Sequence, residues 1–113
     1  MSVIDLPTFE KLQHDAGADF VGELIAAYCE ETPQLMAKLQ HALLAHDTDA
    51  FRQAAHSIKS TSITFGALDL GALAKELELL GRAGNLADAP GKVDRLAVEY
   101  DRVQHTLKDL SHG

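Results

Sequence analysis

The chain is punctuated at Gly17, at Asp47-Thr48-Asp49, at Gly66, at Gly84 and at Pro90, and the stretches between carry apolar residues at helical spacing. "LPTFEKLQHDAG" reads as a short first helix ending near Gly17. "ADFVGELIAAYCEE" follows, with Asp19 as its N-cap and Phe20, Leu24, Ala27 and Tyr28 on one face. Pro33 either kinks this helix or opens a new one behind Thr32 as N-cap, and "QLMAKLQHALLAH" carries on to about His46. A helix from Asp49 to Phe65 stops at Gly66, placed for the left-handed conformation. Asp69 caps "LGALAKELELLGRA", which ends at Gly84, and after the loop "NLADAPG" Pro90 starts a last helix, "KVDRLAVEYDRVQHTLKDL". Short connections between four substantial amphipathic helices predict an all-α fold. The expected form is an antiparallel up-and-down four-helix bundle with a short extra N-terminal helix, one domain over residues 1–113.

Composition agrees with that reading. Ala and Leu dominate and aromatics are only 5%, a mix that favours helices over sheets. The net charge of −7 argues against nucleic acid as partner, since binding a phosphate backbone needs a basic face. That charge on a chain this short points to a monomer. No apolar run reaches the ~18–20 residues of a membrane span. "MSVIDLPTFEK" lacks the basic and apolar regions of a signal peptide, so a cytoplasmic protein is expected. Cys29 stands alone, without a disulfide framework, and is expected to be a partly buried small side chain.

"AAHSIKSTSITFGA", residues 54–67, raises the question of function. On a helical wheel Phe51, Ala54, Ala55, Ile58, Ser62 and Phe65 form the core stripe, and His56 lies about 150° from its centre. Arg52, Ser60 and Ile63 share the outward face, with Lys59 on the flank. On the next helix Leu70, Leu73, Ala74, Leu77 and Leu80 form the stripe, and Glu78 falls on the flank of the same sense as Lys59. Two antiparallel neighbours turn such flanks into one shared groove. A connection centred near residue 67 or 68 then sets Glu78 beside His56 and Lys75 close to Lys59 and Ser60.

Those residue types make a coherent chemistry. A carboxylate that accepts a hydrogen bond from one imidazole nitrogen fixes the tautomer and raises the basicity of the other. An adjacent ammonium can neutralise the oxygens of a phosphoryl group in transfer. Small Ser60 lets a partner's reactive carboxylate come close, Ile63 and Leu79 offer an apolar docking surface, and Arg52, Lys59, Lys75 and Arg82 form a basic cluster on an acidic chain. The plainer alternatives are a solvated flank lysine at Lys59 and an ordinary charged helix face in "KELE".

The other histidines, His14, His41, His46, His105 and His112, are scattered. His41 and His46 do not stack on one helix face, so no metal site is expected. Phe20, Tyr28, Phe51 and Phe65 read as core aromatics. No Gly-x-x-x-x-Gly-Lys, His-Glu-x-x-His or Gly-x-Ser-x-Gly motif is present, so no ATP-dependent self-phosphorylation or hydrolytic activity is expected and no cofactor is called for.

"AHSIKSTSITFGALDLGALAKELELLGR" resembles the histidine-containing phosphotransfer (HPt) domains of bacterial two-component phosphorelays, and the upstream "FVGELIAAYCEETPQLMAKLQHALLAHDTDAFRQ" is similar to the helices that precede the histidine there. The resemblance implies a four-helix bundle whose exposed histidine takes a phosphoryl group from a receiver-domain aspartate and passes it to another receiver. By position His56 is the phosphoacceptor, Lys59 the accompanying cation and Glu78 the residue that hydrogen-bonds the imidazole. The implied partners are response-regulator receiver domains or a hybrid sensor kinase, with Mg²⁺ on the receiver. Ser60 departs from the family, which usually has Gly there. Two other readings stand beside this one: a substrate domain cut from a hybrid or chemotaxis-type sensor kinase, and an interaction bundle that is never phosphorylated.

Overall fold

The computed structural model describes residues 3–112, so Met1, Ser2 and Gly113 of the expected single domain lie outside the described residues. Among the described residues five helices follow one another: α1 (Leu6–Ala16), α2 (Ala18–Ala45), α3 (Thr48–Thr64), α4 (Leu68–Ala83) and α5 (Ala89–His112). Helices α2 to α5 close a ring, each packing on its chain neighbour and α5 returning to α2, while α1 lies across α2 and α3. The bundle is 41 Å long, close to the ~42 Å that a helix of the length of α2 spans at 1.5 Å per residue. This is the expected all-α four-helix bundle with its short N-terminal helix.

The core is aliphatic. Leu39, Phe51, Ile58, Leu70, Leu77, Leu96, Val103 and Leu107 are fully buried along its length. The stripe expected on α3 is correct at every position, from Phe51 through Ala54, Ala55, Ile58 and Ser62 to Phe65. The stripe on α2 is not. Val21, Ile25, Tyr28 and Thr32 face inward, and Phe20, expected in the core, is 51% exposed. Phe20 stands about 100° from Val21 around the helix and so falls off the buried arc. Gly17, not Asp19, is the N-cap, and Asp19 sits inside the first turn, where an acid still complements the helix dipole. Asp69 likewise occupies the first turn of α4 behind Ala67, instead of capping it. Asp5 and Asp47 do cap, accepting from Thr8 N at 3.2 Å and from Ala50 N at 3.0 Å.

Pro33 neither ends α2 nor opens a new helix, and Thr32 is buried within the helix. A proline here removes the N–H that would bond the carbonyl of Cys29. The Tyr100 hydroxyl on α5 donates to that carbonyl instead, at 3.4 Å. Cys29 is half-buried, as expected.

The turn between α3 and α4 fixes their register. Gly66 adopts φ +87°, and a Cβ there would lie 2.8 Å from the Asp5 carbonyl oxygen, because Asp5 N donates to Gly66 O at 2.8 Å. This pins the N-terminal segment onto the turn and starts α4 on the side of α3 that carries His56.

Candidate functional site

His56 projects from the middle of α3 with 56% of its side chain exposed. Its Nδ1 lies 2.8 Å from Glu78 Oε2 on α4. Lys59 Nζ, one turn further along α3, donates to Glu78 Oε1 at 2.7 Å, and Arg82 Nη2 lies 3.5 Å from Oε2. The expected groove therefore exists, and antiparallel packing sets Glu78 level with His56 as the register requires.

Glu78 differs in one respect from the flanking residue the wheel suggested: its side chain is only 5% exposed. The seam explains this. Gly71, Ala74 and Gly81 line the face of α4 toward α3, so the two helices approach closely and the single long side chain among them is covered. Wheel geometry treats all helix pairs as equally spaced and could not reveal that depth. The spacing of Gly71, Ala74, Glu78 and Gly81, alternating three and four residues, was the signal available in the sequence.

Burial alone would push the Glu78 pKa up. The hydrogen bond from Lys59 outweighs it, with further help from the hydrogen bond to His56, and holds the carboxyl below its ordinary value of 4.5. Glu78 is thus ionised at neutral pH and can only accept hydrogen bonds. In the neutral imidazole Nδ1 then carries the proton and Nε2 the lone pair, on a ring more than half exposed.

The surrounding residues fall as follows. Ser60 and Lys75 are exposed. Ile63 and Leu79 are exposed at 44% and 50%, large apolar side chains facing water. Arg52 is half-buried and donates to Asp49 at 2.8 Å, an engagement the wheel did not foresee. Behind the site, Ser62 is fully buried and its Oγ shares a 2.7 Å hydrogen bond with the Tyr28 hydroxyl. Burial pushes the Tyr28 pKa up to about 12, so that hydroxyl stays protonated across the physiological range. Among the described residues no three His, Cys, Asp or Glu side chains gather where they could hold a metal, and no helix is long and apolar enough to cross a membrane. The side chain of His112 lies outside the described residues.

A closed helical bundle that presents an imidazole to solvent, with a buried carboxylate beneath it, has the form of a histidine phosphotransfer module. Comparison with known proteins agrees. The family model of the Hpt domain matches residues 23–110. The chain is 26% identical over 104 residues to histidine-containing phosphotransfer protein 2 of Arabidopsis thaliana, covering 89% of this chain and 67% of that protein. Its structure is similar to that of histidine-containing phosphotransfer protein B of Pseudomonas aeruginosa PAO1, with a TM-score of 0.91 and 28% identity, over 97% of this chain and 95% of that one. The chain belongs to the Hpt domain family, and its function is histidine phosphotransfer in a two-component phosphorelay. Proteins of this family are phosphocarriers, and their partners are of the response-regulator or kinase kind.

Proposed function

We propose that His56 is the phosphoacceptor, that Lys59 neutralises the transferred phosphoryl group and that Glu78 holds the imidazole in its reactive tautomer. The observation that carries this reading is the pairing of an exposed ring with a buried, ionised carboxylate 2.8 Å from its Nδ1. The Nε2 lone pair attacks the phosphorus of a receiver's phosphoaspartate. The P–N bond forms as the P–O bond breaks, and the aspartate carboxylate leaves with the bonding pair. Because Nδ1 keeps its proton, the phosphorylated ring carries positive charge, which the Glu78 carboxylate stabilises. That charge also keeps the imidazole a good leaving group for the second transfer, to another receiver aspartate.

The partner supplies the rest: the acidic pocket, the phosphoaspartate and the Mg²⁺, with no cofactor held by this chain. Arg52, Ser60, Ile63, Lys75, Leu79 and Arg82 form the surface on which the receiver docks. In this reading the chain works as a monomeric, cytoplasmic carrier, one domain without ATP-dependent turnover.

Incubation with a labelled phospho-receiver tests the assignment. The wild-type chain is expected to gain an acid-labile, alkali-stable label, and His56→Ala to gain none. Persistent labelling of that variant removes His56 from the role.

A further inference from the structure

Gly81 is buried on α4, one helical turn past Glu78. A Cβ built on it would lie 3.0 Å from Arg52 Cβ, 3.0 Å from Arg52 N and 3.1 Å from Arg52 Cα. Arg52 is itself one turn before His56 on α3. The backbones of the two helices therefore meet at the level of the site, and what stands against Gly81 is largely main chain, which cannot swing aside. Gly71 is different. A Cβ there would meet Ile63 Cγ1 at 2.6 Å, a side-chain atom, and the nearest main-chain atom, Lys59 O, lies 3.8 Å away.

A methyl group at 81 thus has one outlet, which is to move this part of α4 away from α3 by a few tenths of an ångström. Glu78 moves with it. Lys59 reaches the carboxylate through a four-carbon stem and can follow. The imidazole hangs from only two torsions and has the shorter reach, so the lengthening falls chiefly on the contact between Nδ1 and Oε2.

We propose that Gly81 is a positioning residue for phosphoryl transfer, setting the separation of α3 and α4 at which Glu78 grips His56 Nδ1. The proposal rests on the roles given above to His56 and Glu78.

The test uses the full chain with ¹⁵N-labelled histidine, whose ring shifts report which imidazole nitrogen carries the proton, together with the rate of phosphorylation by phosphoramidate, a donor that needs no docking surface. Gly81→Ala is expected to draw the His56 shifts away from the form protonated at Nδ1 and to slow phosphorylation about 3- to 10-fold, the range for a sub-ångström misplacement. In a Glu78→Ala background the same substitution is expected to add nothing, because its effect passes through Glu78. Gly22→Ala, on α2 with no atom within 4 Å of the added Cβ, is the control and should change neither reading.

Alanine is the better helix former, so propensity alone gives Gly81→Ala a higher melting temperature. Wild-type shifts and rate in Gly81→Ala overturn the proposal, as does an equal slowing with Glu78 absent. Loss of the fold on Gly81→Ala also overturns it, since Gly81 would then serve the bundle as a whole. If Glu78→Ala itself leaves the His56 shifts and rate unchanged, the role of Glu78 falls, and Gly81 with it.

Discussion

Removal of the Glu78 side chain tests the centre of the site. In Glu78→Ala, His56 loses the hydrogen bond at its Nδ1, Lys59 loses its carboxylate at 2.7 Å, and Arg82 loses a partner at 3.5 Å. A hydrogen bond to a charged group contributes about 1.5–3 kcal/mol when sheltered. The imidazole is 56% exposed, so water replaces part of that, and about 1–2 kcal/mol is the discounted figure. At about 1.4 kcal/mol per tenfold, single-turnover transfer from a phospho-receiver is expected to slow roughly 5- to 30-fold. Glu78→Gln fills the same volume and still offers Nδ1 a carbonyl oxygen, so its rate is expected to fall between the two. A rate for Glu78→Ala within about twofold of wild type would refute the argument, because the tautomer would then be set without the carboxylate.

The same variant carries a stability signature. Breaking a fully buried ion pair costs about 3–5 kcal/mol, but the partners here reach water, with Lys59 23% and Arg82 63% exposed, so a loss nearer 1 kcal/mol is expected. The folded-state pKa of Glu78 lies below 4.5, with the Lys59 hydrogen bond as the main cause. Its ionic contribution is therefore complete above pH 4.5 and is lost as pH falls through the lowered folded-state value. Denaturant titrations of wild type and Glu78→Ala should accordingly converge in acid. A gap that holds constant to low pH would assign the loss to packing alone.

Ser60→Gly is expected to leave transfer unchanged or faster, measured in the same single-turnover assay, since Ser60 is exposed and glycine only removes bulk there; a large loss would give its hydroxyl a specific role. Tyr28→Phe strands the buried Ser62 hydroxyl and is expected to cost about 1–2 kcal/mol in denaturant unfolding, most of it recovered in Tyr28→Phe with Ser62→Ala. Pro33→Ala restores an N–H for the Cys29 carbonyl, so Tyr100→Phe should cost less stability in that background than in wild type, by roughly 0.5–1 kcal/mol in a double-mutant cycle.

The readable part of the fold was whatever depends on local chain chemistry. Gly66 and Gly84 have positive φ and end α3 and α4 where the sequence places them, because few residues but glycine take that conformation cheaply. The face of α3 was legible for the same kind of reason: Phe51, Ile58 and Phe65 leave one arc for the core and one for His56. Helix starts were harder. Asp19 and Asp69 are good caps and good first-turn residues alike, and only the tertiary position of the chain decides between the two. On α2 Phe20 and Val21 are both apolar, and only packing decides that Val21 faces inward and Phe20 outward. The role of Pro33 is not legible locally, because its cost is met 67 residues away in sequence, by Tyr100. The site followed the same division, with the level of Glu78 read from register and its depth decided by Gly71 and Gly81.

That depth answers an electrostatic difficulty. With the acidic receiver pocket proposed above, a chain of net charge −7 meets a repulsion that slows encounter. An exposed carboxylate beside His56 would add to the repulsion at the point of contact. Sunk between α3 and α4, Glu78 instead gathers Lys59 and Arg82 about itself, two cations on one buried carboxylate beside the imidazole. In the roles proposed above, one side chain thereby prepares the nucleophile from below and holds the cations that a phosphoryl group meets from above. The two tasks are compatible only because the carboxylate is buried, and its burial follows from the small residues that let the helices close over it.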